Sequence, residues 1–134
     1  WEIGDKDREF RFNNYLNRFH WRHLDLMDVL SGYSFGGRSS LEQVAMLLGL
    51  PGKLGMSGNQ VWGTYQSGKV AAIRDYCEID VLNTYLIYLR FQLMRGLLDQ
   101  SRYQSEVELL STKLSEMKGP HISTFLSAWH TGCE

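Results

Sequence analysis

KVAAIRDYCEIDVLNTYLIYLRFQLMR, residues 69–95, contains neither proline nor glycine and is followed by Gly96, a residue that readily takes the left-handed conformation on which helices end. The stretch predicts one long helix. With Tyr76 at the origin and about 100° per residue, Asp80 lies about 40° round and Asn83 about 20° the other way. The three share a stripe. Ile79, Leu82, Leu86, Leu89 and Leu93 run along one side of it, and Ile73, Cys77, Val81 and Tyr88 along the other. Both sides are expected to be buried. Asp80 is thereby carried toward the interior or a cleft, where an unpaired carboxylate either costs several kcal/mol or gives up its charge. It needs a partner. An arginine or a helix N-terminus would make it a structural ion pair. A hard divalent ion such as Mg²⁺ or Mn²⁺ would make it a ligand, with the Tyr76 phenol one turn away to hold a water. Spacing alone leaves both open.

Downstream, Tyr103, Val107, Leu110, Leu114 and Met117 step by four, three, four and three, an amphipathic helix broken at Gly119-Pro120. Ile122, Phe125, Leu126 and Trp129 then give a last helix its apolar face. Upstream, Ser39 followed by Glu42 has capping-box spacing and opens a short helix with Leu41, Val44, Ala45 and Leu48 facing inward and Gly49 at its end. GLPGKLGMSGN, residues 49–59, is a glycine-rich loop. HLDLMDVLSGY, residues 23–33, reads as a short strand running into a helical turn, and Phe12, Tyr15, Leu16 and Phe19 suit one face of a helix. The chain is therefore expected to be predominantly α-helical, with at most one or two short strands.

Composition bounds the function. With 43% hydrophobic and 22% charged residues, the 134-residue chain is ordinary globular material, and 14 basic against 15 acidic residues create no global field toward nucleic acid. Contact with a nucleic acid would have to be local. Cys77 and Cys133 form no CxxC pair and point to a reducing compartment, with the cytoplasm as the expected location. No run approaches the roughly 18–20 apolar residues that span a bilayer. No membrane partner is expected. The chain opens on Trp1 rather than methionine, which is read as a piece of something longer.

Tyr76-Cys-Glu-Ile-Asp80 resembles the third motif, YxxxD, of the DEDDy 3′-5′ exonucleases, a branch of the ribonuclease H-like superfamily. Three ordered blocks, HLDLMDVLSGY, LLGLPGKLGMSGNQVW and YCEIDVLNTYLIYLRFQLMRG, together resemble a family of predicted exonucleases related to the proofreading domain of DNA polymerase B. The resemblance covers residues 1–97 and implies an α/β ribonuclease H-like parent fold. It leaves residues 98–134 as a helical extension. It further implies that Asp80 is the last of four metal-binding carboxylates, that Tyr76 orients the nucleophilic water, and that two Mg²⁺ or Mn²⁺ ions serve phosphodiester hydrolysis at a single-stranded DNA or RNA 3′ end. The departure is large: the DxE motif and the second-motif aspartate have no counterpart before His23. Asp7-Arg-Glu9 lacks the apolar strand that would carry a DxE. The expectation is that three of the four ligands lie upstream of Trp1, and that the chain alone does not hydrolyse nucleic acid.

Other residues carry paired readings. Lys53 is not in a nucleotide P-loop, because Leu54 stands where Ser or Thr is needed and Leu47 where the first glycine is needed. It either contacts a phosphate backbone or sits on a plain surface loop. Trp62 and Tyr65 either stack a base or belong to the core, and Asn83 shares the stripe that would face the nucleic acid. His20 and His23, with Asp25 and Asp28, could face one way as zinc ligands, or Asp25 could cap a turn. The rival to an enzyme is a helical interaction module without catalysis. A chain lacking its sheet is also expected to self-associate through exposed apolar surface.

Overall fold

The computed structural model describes residues 25–32 and 40–131. The chain divides into two units, residues 1–38 and 39–134. In the first, α1 spans Leu26–Leu30. Among the described residues from Asp25 onward no strand forms, and the expected helical turn does: the Asp25 carboxylate accepts from the backbone N–H groups of Met27 and Asp28, at 2.9 and 3.3 Å, and so starts a helix. Asp25 is a cap, as one of its two readings had it. Asp28 is 3% exposed. The Phe12–Phe19 helix, His20, His23 and Cys133 lie outside the described residues.

The second unit is built around one helix. Ser40 opens α2, Leu41–Leu47, with a capping box one residue later than Ser39 and Glu42 would place it. Ser40 Oγ accepts from Gln43 N at 3.2 Å, and Gln43 Oε1 accepts from Ser40 N at 2.8 Å. The spacing of three is the same; glutamine fills the return bond in place of glutamate. Gly49, at φ 68°, closes that helix. A 3-10 turn over Gly58–Gln60 leads into α3, Val61–Gln66, which sequence patterning did not reveal. With six residues and Gly63 inside it, α3 has too little periodicity to be read.

Helix α4 runs Val70–Met94, with Lys69 as N-cap and Arg95 as C-cap, and Gly96 at φ 69° turns the chain away. Asp99 caps α5, Gln100–Glu116, by accepting from Arg102 N at 2.8 Å. Helix α6 runs Pro120–Thr131, starting on the proline as a helix tolerates in its first turn.

Ile79 and Leu86 of α4 meet Leu114 of α5 and Ile122, Phe125 and Trp129 of α6 in a single core, with Leu50 and Leu54 of the glycine-rich loop packed against it. Polar links reinforce the α4–α5 seam. Tyr85 Oη donates to Glu106 Oε2 at 3.0 Å, and the Arg90 guanidinium lies 5.3 Å from the centre of the Tyr103 ring. Burial on α4 is one-sided, contrary to the expectation for both flanks: Ile79, Asn83, Leu86, Ile87 and Leu89 are buried, whereas Val81 is 66% exposed and Cys77 is also exposed. Cys77 and Val81 border an open groove walled also by Leu114, Met117 and Ile122, while Ile73 and Tyr88 of the same flank are half-buried.

Among the described residues there is no strand, and no helix is long and apolar enough to cross a membrane.

Candidate active site

Tyr76 and Asp80 sit one turn apart on α4, and the loop after α2 returns to the same stripe. What brings it there is Asn83. Its side chain is 1% exposed and grips the loop backbone at both ends of one residue: Oδ1 accepts from Gly52 N at 3.1 Å, and Nδ2 donates to Gly52 O at 2.8 Å. A third bond, from Nδ2 to Ile79 O at 3.0 Å, fixes the amide against its own helix. Asn83 therefore does not present its side chain to a ligand; it holds the segment that carries Lys53, the next residue in the loop.

Lys53, Tyr76 and Asp80 consequently interact. Burial raises the Tyr76 hydroxyl above its ordinary pKa, and the neighbouring Asp80 carboxylate raises it further through hydrogen bonding and charge. Lys53 partly offsets both. Asp80 itself is half-buried, and its Oδ1 is buried with no hydrogen-bond partner. Tyr76 lines an open cleft of about 920 Å³, walled also by Leu54, Thr64, Lys69, Asp75 and His121.

Because the folded state favours the neutral phenol, Tyr76 contributes stability that is fully present below the unfolded value of about 10 and is lost as pH rises through its higher folded value. Tyrosinate absorbance of the wild type minus Tyr76→Phe is expected to titrate above pH ~10. Lys53→Gln should move that midpoint higher still. A midpoint below the ordinary value, or one that falls on removing Lys53, would contradict this electrostatic arrangement.

Trp62 is not part of the cleft wall and is not in the core. It is 67% exposed and stacks on Tyr65, itself 57% exposed, with ring centres 5.8 Å apart and planes 25° from parallel. Gly63 and Thr64 of α3 and its C-cap Ser67, which do line the cleft, occupy the opposite side of that helix. The core reading of these two aromatics is thus corrected: a helix of six residues has only one face to bury, and Trp62 and Tyr65 fall on the other.

The donor set that sequence reasoning missed is Asp75, Glu78 and His121, whose ligand atoms lie within 4.8 Å of one another. These are the described residues that could hold a metal as a group of three. Asp75 and Glu78 at spacing three signal a shared helical face, but nothing in the sequence pairs them with a histidine 43 residues beyond Glu78.

Chemically, this wall of α4 offers a carboxylate oxygen without a hydrogen-bond partner, a phenol that keeps its proton at neutral pH, and an ammonium group beside it. The family comparison gives these residues their context. The chain belongs to the family of predicted 3′-5′ exonucleases related to the exonuclease domain of PolB, whose model matches residues 1–129. The match extends through α5 and into α6. No curated protein and no solved structure matches the chain.

Proposed function

We propose that this protein is a metal-dependent 3′-5′ exonuclease hydrolysing phosphodiester bonds at a single-stranded DNA or RNA end, in the cytoplasm, on a ribonuclease H-like parent fold. The observation that carries the reading is Asp80 Oδ1, a buried carboxylate oxygen without a hydrogen-bond partner one turn from a tyrosine. Such an atom is unfavourable unless a water or a cation completes it, and a hard divalent ion, Mg²⁺ or Mn²⁺, fits its chemistry. Bound ions would make a nucleophile from water near neutral pH and shield charge on the phosphoryl oxygens. Tyr76, which stays protonated there, orients a water by hydrogen bonding and does not abstract its proton. Lys53, held by the Asn83 clamp, faces the phosphate, and Trp62 with Tyr65 offers a stacking surface farther along the strand.

A single carboxylate cannot hold two ions, and among the described residues Asp80 belongs to no group of three donors. The 134-residue chain by itself is therefore proposed to be inactive. The test is manganese-dependent shortening of a 3′-labelled single strand by this chain, by the protein expressed from its complete reading frame, and by that protein with Asp80→Asn. Activity confined to the second supports the proposal. A folded, metal-loaded second protein with no activity would return Asp80 to a structural role.

A second reading rests on exposed apolar side chains. Met46 is 70% exposed, Leu47 84% and Met94 74%. Surfaces of this kind mark association sites, and we propose that the chain alone self-associates. Light scattering should give a mass above the monomer; a monodisperse monomer would count against it.

A further inference from the structure

We infer that His121 is a positioning residue for Tyr76, an imidazole supplied by α6 that locks the turn of α4 carrying the tyrosine. The α5–α6 hairpin is thereby part of the working site. This rests on the exonuclease reading of Tyr76.

Asp75 and Glu78 flank Tyr76 in sequence on α4, and the His121 imidazole bonds to Glu78 through Nε2 while its Nδ1, buried and without a hydrogen-bond partner, lies beside Asp75. Its Nε2 lies 2.6 Å from Glu78 Oε2, and its Nδ1 lies 3.7 Å from Asp75 Oδ2. The other oxygens of the same carboxylates face Arg74, with Nη2 2.9 Å from Asp75 Oδ1 and Nε 3.5 Å from Glu78 Oε1. Glu78 is thus held between the imidazole and the exposed Arg74, which restricts the turn that carries Tyr76. The His121 side chain is 17% exposed and lines the same cleft as Tyr76 and Asp75.

The space for the ring is made by Gly119. A Cβ there would come within 2.8 Å of His121 Cε1 and 3.1 Å of Nδ1, so any other residue displaces the imidazole. Behind the ring, Ile122 is 2% exposed in the core, which anchors the start of α6. The imidazole is therefore delivered by a rigid element. A metal would have to compete with Arg74, which already brings positive charge to both carboxylates, and would bind through Nδ1, the imidazole nitrogen without a hydrogen-bond partner.

Positioning errors near 1 Å can lower a rate by about 10²-fold. In the protein from the complete reading frame, His121→Phe keeps an aromatic ring but removes both nitrogens. It is expected to lower kcat at least about 10-fold, with KM for the strand little changed. His121→Gln places an amide nitrogen near the Nε2 position and should recover most of that loss. Gly119→Ala should reproduce the His121→Phe defect in the wild type and have no further effect in a His121→Ala background. Equal kcat in His121→Phe and wild type, or failure of Gln to outperform Phe when both proteins melt alike, overturns the inference.

Amide hydrogen exchange over residues 74–80 separates this from the fate of the exonuclease reading. Faster exchange in His121→Phe, reversed in His121→Gln, supports the lock even if every protein is inert, in which case only the exonuclease reading falls. Unchanged exchange overturns the lock. So does one zinc ion retained per chain and lost in His121→Phe, which would make the cluster a metal site.

Discussion

Replacing Asp80 by asparagine in the protein from the complete reading frame is expected to abolish manganese-dependent 3′-5′ degradation while leaving the fold intact. Asparagine has nearly the same shape, so the packing of α4 does not change. The helix is unaffected, because Thr84 Oγ1 donates to the backbone carbonyl of Asp80 at 2.7 Å, a bond asparagine keeps. What disappears is the negative charge on a buried oxygen that has no protein donor. Removing one preorganised electrostatic group from an active site typically slows the reaction ~10²–10³-fold, and a loss of at least about 100-fold is the expected result. The melting temperature should change little, since Asp80 is half-buried and only one of its oxygens lacks a partner.

The two readings of Asp80 separate here. If Asp80 were a structural ion pair, the variant would lose stability and keep its rate. Tyr76→Phe should slow the reaction less than the ~10²–10⁴ of a full proton-transfer catalyst, because the phenol keeps its proton and only orients the water.

Asn83→Leu is expected to destabilise the second unit strongly. Asn83 makes three hydrogen bonds from a position 1% exposed to solvent, two of them to the N–H and C=O of buried Gly52. Leucine fills a similar volume and leaves both groups without partners. Each stranded buried group costs about 1–3 kcal/mol. After a modest gain from the added apolar surface, a net loss of roughly 2–4 kcal/mol is expected. Urea denaturation checks it: the midpoint should fall with the slope unchanged.

The same substitution has a functional consequence. Freed from Asn83, the loop no longer delivers Lys53 to Tyr76, so the phenol midpoint in Asn83→Leu should move upward, as in Lys53→Gln. A variant that lost stability but left this midpoint in place would show that Lys53 is positioned by something other than the clamp.

Much of the helical plan was legible because it depends on local chemistry. The absence of Pro and Gly from residues 69–95, with Gly96 after them, set the length of α4 to within a residue at each end. Apolar steps of three and four announced α5 and α6, and Gly119-Pro120 announced the break between them. The capping box was legible in kind and missed by one position, since Ser39 and Ser40 each have a suitable partner three residues on. From Asp25 onward the helical turn forms without a strand because an aspartate cap competes locally with extended backbone, a choice that alternation of Leu24 and Leu26 does not reveal.

Family membership and the Tyr76–Asp80 pair were likewise readable in one dimension, because a helix places residues i and i+4 side by side wherever it occurs. Contacts between distant segments were not. The Asn83–Gly52 clamp joins residues 31 apart, and the Glu78–His121 contact joins residues 43 apart. The first pair become neighbours only when the loop after α2 packs back on α4, and the second only when α6 does. That same packing choice leaves Cys77 and Val81 in solvent and buries Asn83, although helical geometry places Asn83 on the same stripe as Asp80. Local propensity and periodicity set the elements and the spacing of the tyrosine and the carboxylate along one of them; which flank of α4 is covered, and which loop and histidine reach the tyrosine, follows from burial of the shared core, a property of the assembled helices and not of any one stretch of chain.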